Sequence, residues 1–432
     1  MNNLLFLCQP TVGHLNTLLS IGLQARADGH AVRFLLPGVQ VPRQAGALLQ
    51  TAADVPRRIA AHGLAVDLLR PALSQLGLAA AVPLSATSGY SELALAVLLF
   101  SSGLAHYTRG ILRHLERQRP DMLVTDFAFL ASALAADSLG LPYVTVYHSG
   151  LPFRGPGIPP FGSGLPIGET DSPRARAAEA RERWLLRLLD GAVNRARRKL
   201  GLTAVAPDIL RRPYSPWLNL ITSDPAIEAP RELGDAPTLF VGPCFTGRSA
   251  GGAETFPVEL LRAERRVVYV SLGTVFNNRP KLLQTLLTAL GQPDLQVIVS
   301  AGAAYDALCQ RRLPTNAQLF RTVPQTELLP RVDVFISHGG NNSTNEALAA
   351  GVPLLVIPIG GEQGDNASRV AYLGVGLRAE PATLTADTIR RQVRRLLDEP
   401  CFRTRAQQCA GQLPRTPGAQ VASAAIRTLG DE

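Results

Sequence analysis

The stretch Ile336-Ser337-His338-Gly339-Gly340-Asn341-Asn342-Ser343-Thr344-Asn345-Glu346 concentrates hydrogen-bonding chemistry. An apolar run leads into a Gly-Gly turn, and Asn342 or Ser343 then opens a helix. Glycines let a backbone approach a ligand closely. Exposed amides at a helix start, with the positive end of the dipole, suit a phosphate. His338, Asn342 and Ser343 would add side-chain donors to the same oxygens, and Glu346, about one turn on, would accept from ribose hydroxyls. The same residues also read as an ordinary capped helix, with Ser343 and Glu346 forming a capping box.

The neighbouring residues tip that balance. After Gly351-Val352-Pro353 comes Ile357-Pro358-Ile359-Gly360-Gly361-Glu362-Gln363, a strand and a turn carrying an acid beside an amide. That pair grips sugar hydroxyls by bidentate hydrogen bonds. Ser271-Leu272-Gly273-Thr274 ends another strand and offers a further phosphate contact. Far upstream, Gly13-His14-Leu15-Asn16 follows the first apolar run, and Asp126 follows Met122–Thr125.

These residues need elements to hold them. Leu4–Cys8 and Ala31–Leu36 read as strands buried on both faces, with a helix from Asn16 to Ala27 between them. The unit recurs as strand Met122–Thr125, helix Ala128–Leu139 and strand Tyr143–Tyr147. Such units default to right-handed parallel pairing. Leu151–Pro173 is rich in Gly and Pro and reads as a long loop. Arg174–Leu200 reads as a helix with Trp184, Leu185, Leu188, Leu189 and Val193 on one side. Residues 228–262 read as a linker. Beyond it come strands Val267–Leu272, Leu295–Val299, Gln318–Phe320, Val332–Ile336 and Pro353–Ile357, with helices Pro280–Leu290 and Ser343–Ala350. The expected organisation is a first domain over 1–227, the linker, a second domain over 263–412, and a terminal helix in 413–432 that packs back on the first domain. Two doubly wound α/β domains leave a cleft between the carboxyl ends of their strands, where ligands bind.

Composition narrows the classes. The chain has 432 residues, 46% hydrophobic and 18% charged, too apolar for a disordered protein and long enough for two domains. Its five cysteines fit neither a disulfide framework nor a zinc spacing, which points to a reducing, cytosolic compartment. No apolar run is long enough for a signal peptide or a membrane span. The formal charge is +9, and only Lys199 and Lys281 among the 43 basic residues are lysine. No zinc-finger or RNA-recognition pattern accompanies that charge, so nucleic acid is not expected. A mild positive field suits an anionic small substrate, or weak contact with a membrane surface through the Arg-rich helix.

The segment from Val323-Pro324-Gln325 through His338-Gly339-Gly340-Asn341-Asn342-Ser343, Glu346, Gly351-Val352-Pro353, Pro358 and Glu362-Gln363 resembles the nucleotide-sugar signature of family 1 glycosyltransferases, the UDP-glycosyltransferase superfamily. The resemblance implies a GT-B fold: two Rossmann-like, doubly wound parallel-sheet domains facing across a cleft, the second binding an NDP-sugar. It implies that Gln325 and the backbone near Val323 meet the base and that Glu346 binds ribose. His338, Asn342, Ser343 and Thr274 would bind the diphosphate, while Glu362 and Gln363 hold the sugar. Gly13, Ser271, Gly273, Gly339, Gly340 and Asn341 complete the expected donor-binding set. Val323 and Asn341 stand where plant members carry Trp, and Glu-Gln replaces the usual Asp-Gln, a more bacterial pattern.

The first domain is similar to the same family at Gly13-His14-Leu15-Asn16, whose His is the catalytic base, and at Asp126, its partner. The chemistry fits the residue types. A hydroxyl acceptor must lose its proton as it attacks the anomeric carbon, and a neutral imidazole can take it. A carboxylate on the other ring nitrogen fixes the tautomer and stabilises the imidazolium. His30, His62, His106, His114 and His148 offer no evident partner, though His148, after a strand, could line the acceptor side. No Asp-x-Asp stands at a strand end, so no metal on the diphosphate is indicated.

The expectation is therefore a soluble, cytoplasmic, metal-independent inverting glycosyltransferase. Its co-substrate would be a UDP- or TDP-sugar, glucose favoured, and it needs no cofactor. The acceptor would be a small lipophilic natural product such as a polyketide, flavonoid, terpenoid or carotenoid. Val82–Tyr107, Leu151–Leu165 and the Trp184 helix would wall its pocket. A catalytically inactive nucleotide-sugar-binding subunit or scaffold is the alternative, and an epimerase-type enzyme a further one. A dehydrogenase lacks its phosphate fingerprint, since Gly374-Val375-Gly376 has no third glycine.

Overall fold

A computed structural model describes residues 1–38, 47–72, 103–148, 150–245, 256–273 and 278–431, with side chains throughout except at 47–51. Thr274 and most of the expected wall at Val82–Tyr107 lie outside the described residues.

The first domain is built on seven parallel strands: β1 (Asn3–Leu7), β2 (Ala31–Pro37), β3 (Ala65–Leu69), β4 (Met122–Asp126), β5 (Tyr143–Tyr147), β6 (Leu218–Ile221) and β7 (Thr238–Phe240). Their spatial order is β3-β2-β1-β4-β5-β6-β7. Its helices are α1 (Val12–Ala27), α2 (Ala47–Ala61), α3 (Leu104–Arg117), α4 (Leu130–Leu139) and α5 (Pro173–Lys199). Strand β1 is apolar on both faces because helices cover both sides. Leu5 and Leu7 pack with Tyr107 and Leu134, while Leu4 and Phe6 pack with Leu15 and Leu18.

The second domain repeats the plan with six parallel strands: β8 (Arg266–Ser271), β9 (Leu295–Ser300), β10 (Ala317–Phe320), β11 (Val334–Ser337), β12 (Leu354–Val356) and β13 (Gly376–Arg378). These run in the order β10-β9-β8-β11-β12-β13. Its helices are α6 (Pro280–Leu290), α7 (Tyr305–Cys309), α8 (Gln325–Leu328), α9 (Asn341–Ala349), α10 (Gln363–Tyr372), α11 (Ala386–Asp398) and α12 (Pro400–Gln412), and α13 (Gly418–Asp431) ends the chain.

In both sheets the strand order reverses at one seam, β1 against β4 and β8 against β11. Open α/β sheets bind ligands at the carboxyl ends flanking such a seam, because the following loops diverge there. His14 and Asp126 lie past β1 and at the end of β4. Ser271 and His338 lie at the end of β8 and just past β11.

Three expectations change. The first domain does not stop at residue 227: β7, inside the expected linker, pairs with β6, and Ser20 donates to the Phe245 carbonyl over 2.8 Å. A three-residue, half-exposed edge strand carries no apolar run that would mark it in a sequence. Helix α5 begins where expected, with the Ser172 hydroxyl capping the Ala175 amide over 3.0 Å. It buries Leu185, Leu186, Leu189 and Val193 and leaves Trp184 59% and Leu188 46% exposed. Residues 184 and 188 form an i, i+4 stripe beside the packed face, so among the described residues it is Glu179 and Glu182 of this helix, not Trp184, that line a cavity. Helix α1 also starts at Val12, four residues before the expected Asn16, which places His14 in its first turn.

Helix α13 returns to the first domain. Ala419, Ala422 and Ile426 join the core of Leu18 and Phe34, and the Ser423 hydroxyl donates to Asp28 over 2.6 Å. No helix among the described residues is long and apolar enough to cross a membrane.

Candidate active site

Asp126 is the centre of the first domain's contribution. It is fully buried at the end of β4, where an uncompensated carboxylate would be costly. Four donors satisfy it. The Gln9 amide and His14 Nδ1 reach Oδ2 at 3.0 and 2.7 Å, and the Ala128 amide and His148 Nε2 reach Oδ1 at 2.9 and 3.1 Å. Burial would raise its pKa, but the two imidazoles outweigh that and hold it well below the carboxylate range.

His14 is 27% exposed, and it uses Nδ1 for Asp126. Its other nitrogen, Nε2, is then the acceptor of the neutral ring. Burial pulls its pKa down, while Asp126 and then Glu362 pull it up, for a net rise above 6.5. The result is an imidazole held in one tautomer and partly open to solvent.

His148 has the partner that its sequence context did not reveal. It is buried after β5 and shares Asp126 with His14, the two rings lying 4.4 Å apart between centroids. Its only available sequence signal was its place directly after a strand that neighbours β4. Of the other histidines, His30 Nδ1 accepts from the Asn2 amide over 3.2 Å and His106 Nε2 lies 2.8 Å from the Arg70 carbonyl. The ligand atoms of His14, Asp126 and His148 lie within 4.8 Å of one another. A carboxylate has about four lone-pair directions, and N–H donors occupy all of them here.

The second domain brings a helix start to the same place. Gly340 is the N-cap of α9 and caps with no side chain, so Ser343 and Glu346 form no capping box. The first-turn amides of α9 therefore keep no intrahelical partner. His338 sits between two glycines: a Cβ on Gly273 or on Gly340 would come within 2.5 Å of its ring. Burial pushes its pKa down to about 4 against an opposing contact with the Ser271 backbone, so the ring is neutral throughout the physiological range. Gly339 has φ +87°, and a Cβ there would lie 2.6 Å from Val356.

Glu346 and Gln325 meet directly. Gln325 Nε2 donates to Glu346 over 2.6 Å and to the Ser343 hydroxyl over 3.2 Å, while Tyr269 donates to Gln325 Oε1 over 3.2 Å. Burial lifts the Glu346 carboxyl to about 7 despite the Gln325 bond. Val323 lies beside them, packed on the core of Phe335 and Leu328. Gln363 is more constrained than expected: its Oε1 accepts from the Ile359 and Gly360 amides at 2.8 and 3.0 Å, pinning the turn that carries Glu362.

The two halves touch. Asn341 donates to the His148 carbonyl over 2.9 Å and Asn342 to the Gly13 carbonyl over 3.1 Å. A Cβ on Gly150 would lie 3.4 Å from Glu362. Asn341 is oriented in turn by Arg369 over 3.1 Å, and Arg369 forms a buried ion pair with Glu228. Beside this junction, the loop expected to wall an acceptor pocket borders a cavity of about 310 Å³. Phe153, Phe161 and Leu165 line one side of it; Glu182, Arg211 and Asp365 also line it, so it is not the uniformly apolar pocket expected.

Known proteins share the sequence and the fold of this chain. Residues 284–426 match the family model of the erythromycin biosynthesis protein CIII-like C-terminal domain. The chain is 32% identical to 4'-demethylrebeccamycin synthase of Lentzea aerocolonigenes over 317 residues, 71% of this chain and 73% of that one. It is 29% identical to zeaxanthin glucosyltransferase of Pantoea ananas over 312 residues, 71% of this chain and 70% of the other. The crystal structure of the glycosyltransferase VinC in complex with DTDP superposes over the whole of both chains, with a TM-score of 0.71 at 20% identity.

Proposed function

The chain belongs to the family 1 glycosyltransferases of bacterial natural-product type, with the GT-B fold, and on that premise we propose that it is an inverting enzyme using His14 as base. The observation that carries this reading is the His14–Asp126 pair, 2.7 Å apart, facing a bare helix start of the other domain.

The acceptor hydroxyl gives its proton to His14 Nε2 as its oxygen bonds to the anomeric carbon. The bond from that carbon to the diphosphate oxygen breaks in line, its electron pair leaving with the nucleotide. One displacement turns an α-linked donor into a β-glycoside. Asp126 balances the imidazolium that forms. The α9 amides and the neutral His338 meet the diphosphate, supporting departure without a metal ion. Ser271, Gly273 and Ser343 stand at that end. Gln325 and the Val323 backbone take the base, Glu346 the ribose and Glu362 with Gln363 the sugar. Glucose on UDP or TDP is the favoured donor. The names of the zeaxanthin and demethylrebeccamycin relatives and the Phe153–Phe161 wall support a lipophilic acceptor.

The test is a split between two variants. His14→Ala abolishes transfer to an acceptor panel read by mass shift of one hexose, while UDP-glucose or TDP-glucose still raises its melting temperature. Glu346→Ala weakens that donor shift. Retained transfer by His14→Ala refutes the assignment.

A further inference from the structure

Asp126 serves two imidazoles, and the proposed mechanism uses only one. We propose that His148 is a positioning residue for the base: as a neutral ring it donates from Nε2 to Asp126 Oδ1, fixing the carboxylate that orients His14, and it is itself held from the nucleotide-binding domain through Asn341. This inference rests on the reading of His14 as the base.

The geometry leaves His148 little freedom. Its side chain is 1% exposed and packs edge-on to Phe127, with ring centroids 5.4 Å apart. Nε2 lies 3.1 Å from Asp126 Oδ1, and an ionised carboxylate only accepts, so Nε2 carries the proton. The backbone carbonyl of the same residue accepts from Asn341 Nδ2, 2.9 Å away at the first position of α9. A continuous line of contacts thus runs from the start of α9 through His148 and Asp126 to His14.

Two imidazolium ions cannot share one buried carboxylate on equal terms. If His148 were charged, it would repel the imidazolium that His14 must become, across 4.4 Å between centroids. Burial and His14 both push the His148 pKa down, which keeps it neutral. The other groups facing the cluster do not compete. The Cys8 thiol, on the chain leaving β1, is held protonated by burial and by Asp126, and the Tyr214 hydroxyl donates to the Phe127 carbonyl over 3.0 Å. Glu362, from the second domain, adds negative charge that favours the His14 imidazolium. By donating to Oδ1, His148 disperses charge on Asp126. Without it, the carboxylate would bind the His14 proton more tightly and return it less readily.

Histidine-ring nitrogen spectra of the ¹⁵N-labelled full-length protein test this without an acceptor, His14 being assigned by its loss in His14→Ala. In the wild type, His148 is expected as the neutral Nε2–H tautomer at pH 7. In His148→Phe the His14 midpoint moves upward by roughly half to one pH unit. His148→Gln, whose amide can donate to Oδ1, returns it toward the wild-type value. A charged or Nδ1–H His148 in the wild type overturns the proposal, and so does an unmoved His14 midpoint in His148→Phe. That failure is distinct from failure of the base assignment, which shows instead as full transfer activity in His14→Ala.

Discussion

Asn342 donates its side-chain amide to the carbonyl of Gly13, 3.1 Å away across the domain junction and 329 positions away in the chain. The bond ties the helix start that would meet the leaving phosphate to the turn that carries His14, the proposed base. Both partners lie in first turns, Asn342 in α9 and Gly13 in α1, so the contact joins two helix starts directly.

Removing that contact should cost turnover more than binding. A partly exposed neutral hydrogen bond contributes about 0.5–1.5 kcal/mol, so Asn342→Ala is expected to lower kcat by roughly 2- to 12-fold at saturating donor. Asn342→Asp should cost more, since it sets a second oxygen against the Gly13 carbonyl and a negative charge beside the diphosphate. Steady-state kinetics decide it; equal kcat for wild type and both variants would show the clasp to be incidental.

His338 depends on two missing side chains. Gly340 has φ −61°, which any residue adopts, yet a Cβ there would lie 2.5 Å from His338 Nε2. Gly340→Ala should therefore displace the ring and weaken donor binding by about tenfold or more, the scale of one charge-assisted hydrogen bond. A double-mutant cycle identifies the cause. In a His338→Ala background the same glycine change should cost little, because nothing remains to clash. Additive losses in calorimetric titrations with UDP would rule out this explanation.

Glu346 gives donor binding a pH dependence. Its carboxyl is raised to about 7, and ribose hydroxyls donating to it would stabilise the charged form and lower that value in the complex. The free protein then holds the proton that the complex releases, so donor affinity rises with pH and levels off above about 7. Glu346→Gln removes this part of the dependence. Nucleotide titrations at pH 5.5 and 8 check it: a wild-type profile as flat as the variant's sinks the prediction.

Much of this is legible in the sequence. Both doubly wound sheets follow from continuous apolar strands such as Tyr143–Tyr147, because a strand covered on both faces cannot alternate. The nearness of Ser343 and Glu346 is legible because their spacing is local, one turn of helix. His148 is not, since the strand–helix–strand pattern implies that β5 lies beside β4 but not the register and ring orientation that bring His148 to Asp126. The turn-capping bonds of Gln363 are not legible for a related reason: its side chain folds back onto the amides of the turn that precedes it. Edge strand β7 lacked signal altogether, being short and half-exposed.

Asp365 makes the last test one of closure. The loop over 150–172 reaches across to α10, where the Gly162 and Gly164 amides donate to the two Asp365 oxygens at 2.6 and 2.8 Å. Gly164 and Gly364 touch backbone to backbone: a Cβ on Gly364 would lie 2.9 Å from the Gly164 Cα. Burial raises the Asp365 carboxyl to about 6, above its ordinary 3.8, although the two amides pull it down. An acid raised on folding favours the folded state most below its unfolded pKa, and that contribution fades as pH climbs through the folded value. Asp365→Asn has no such titration. It should be less stable than the wild type at every pH, because an amide nitrogen cannot accept from a glycine N–H. The gap in melting temperature should narrow between pH 4.5 and pH 7; a gap that stays constant or widens would mean that Asp365 is not held as described.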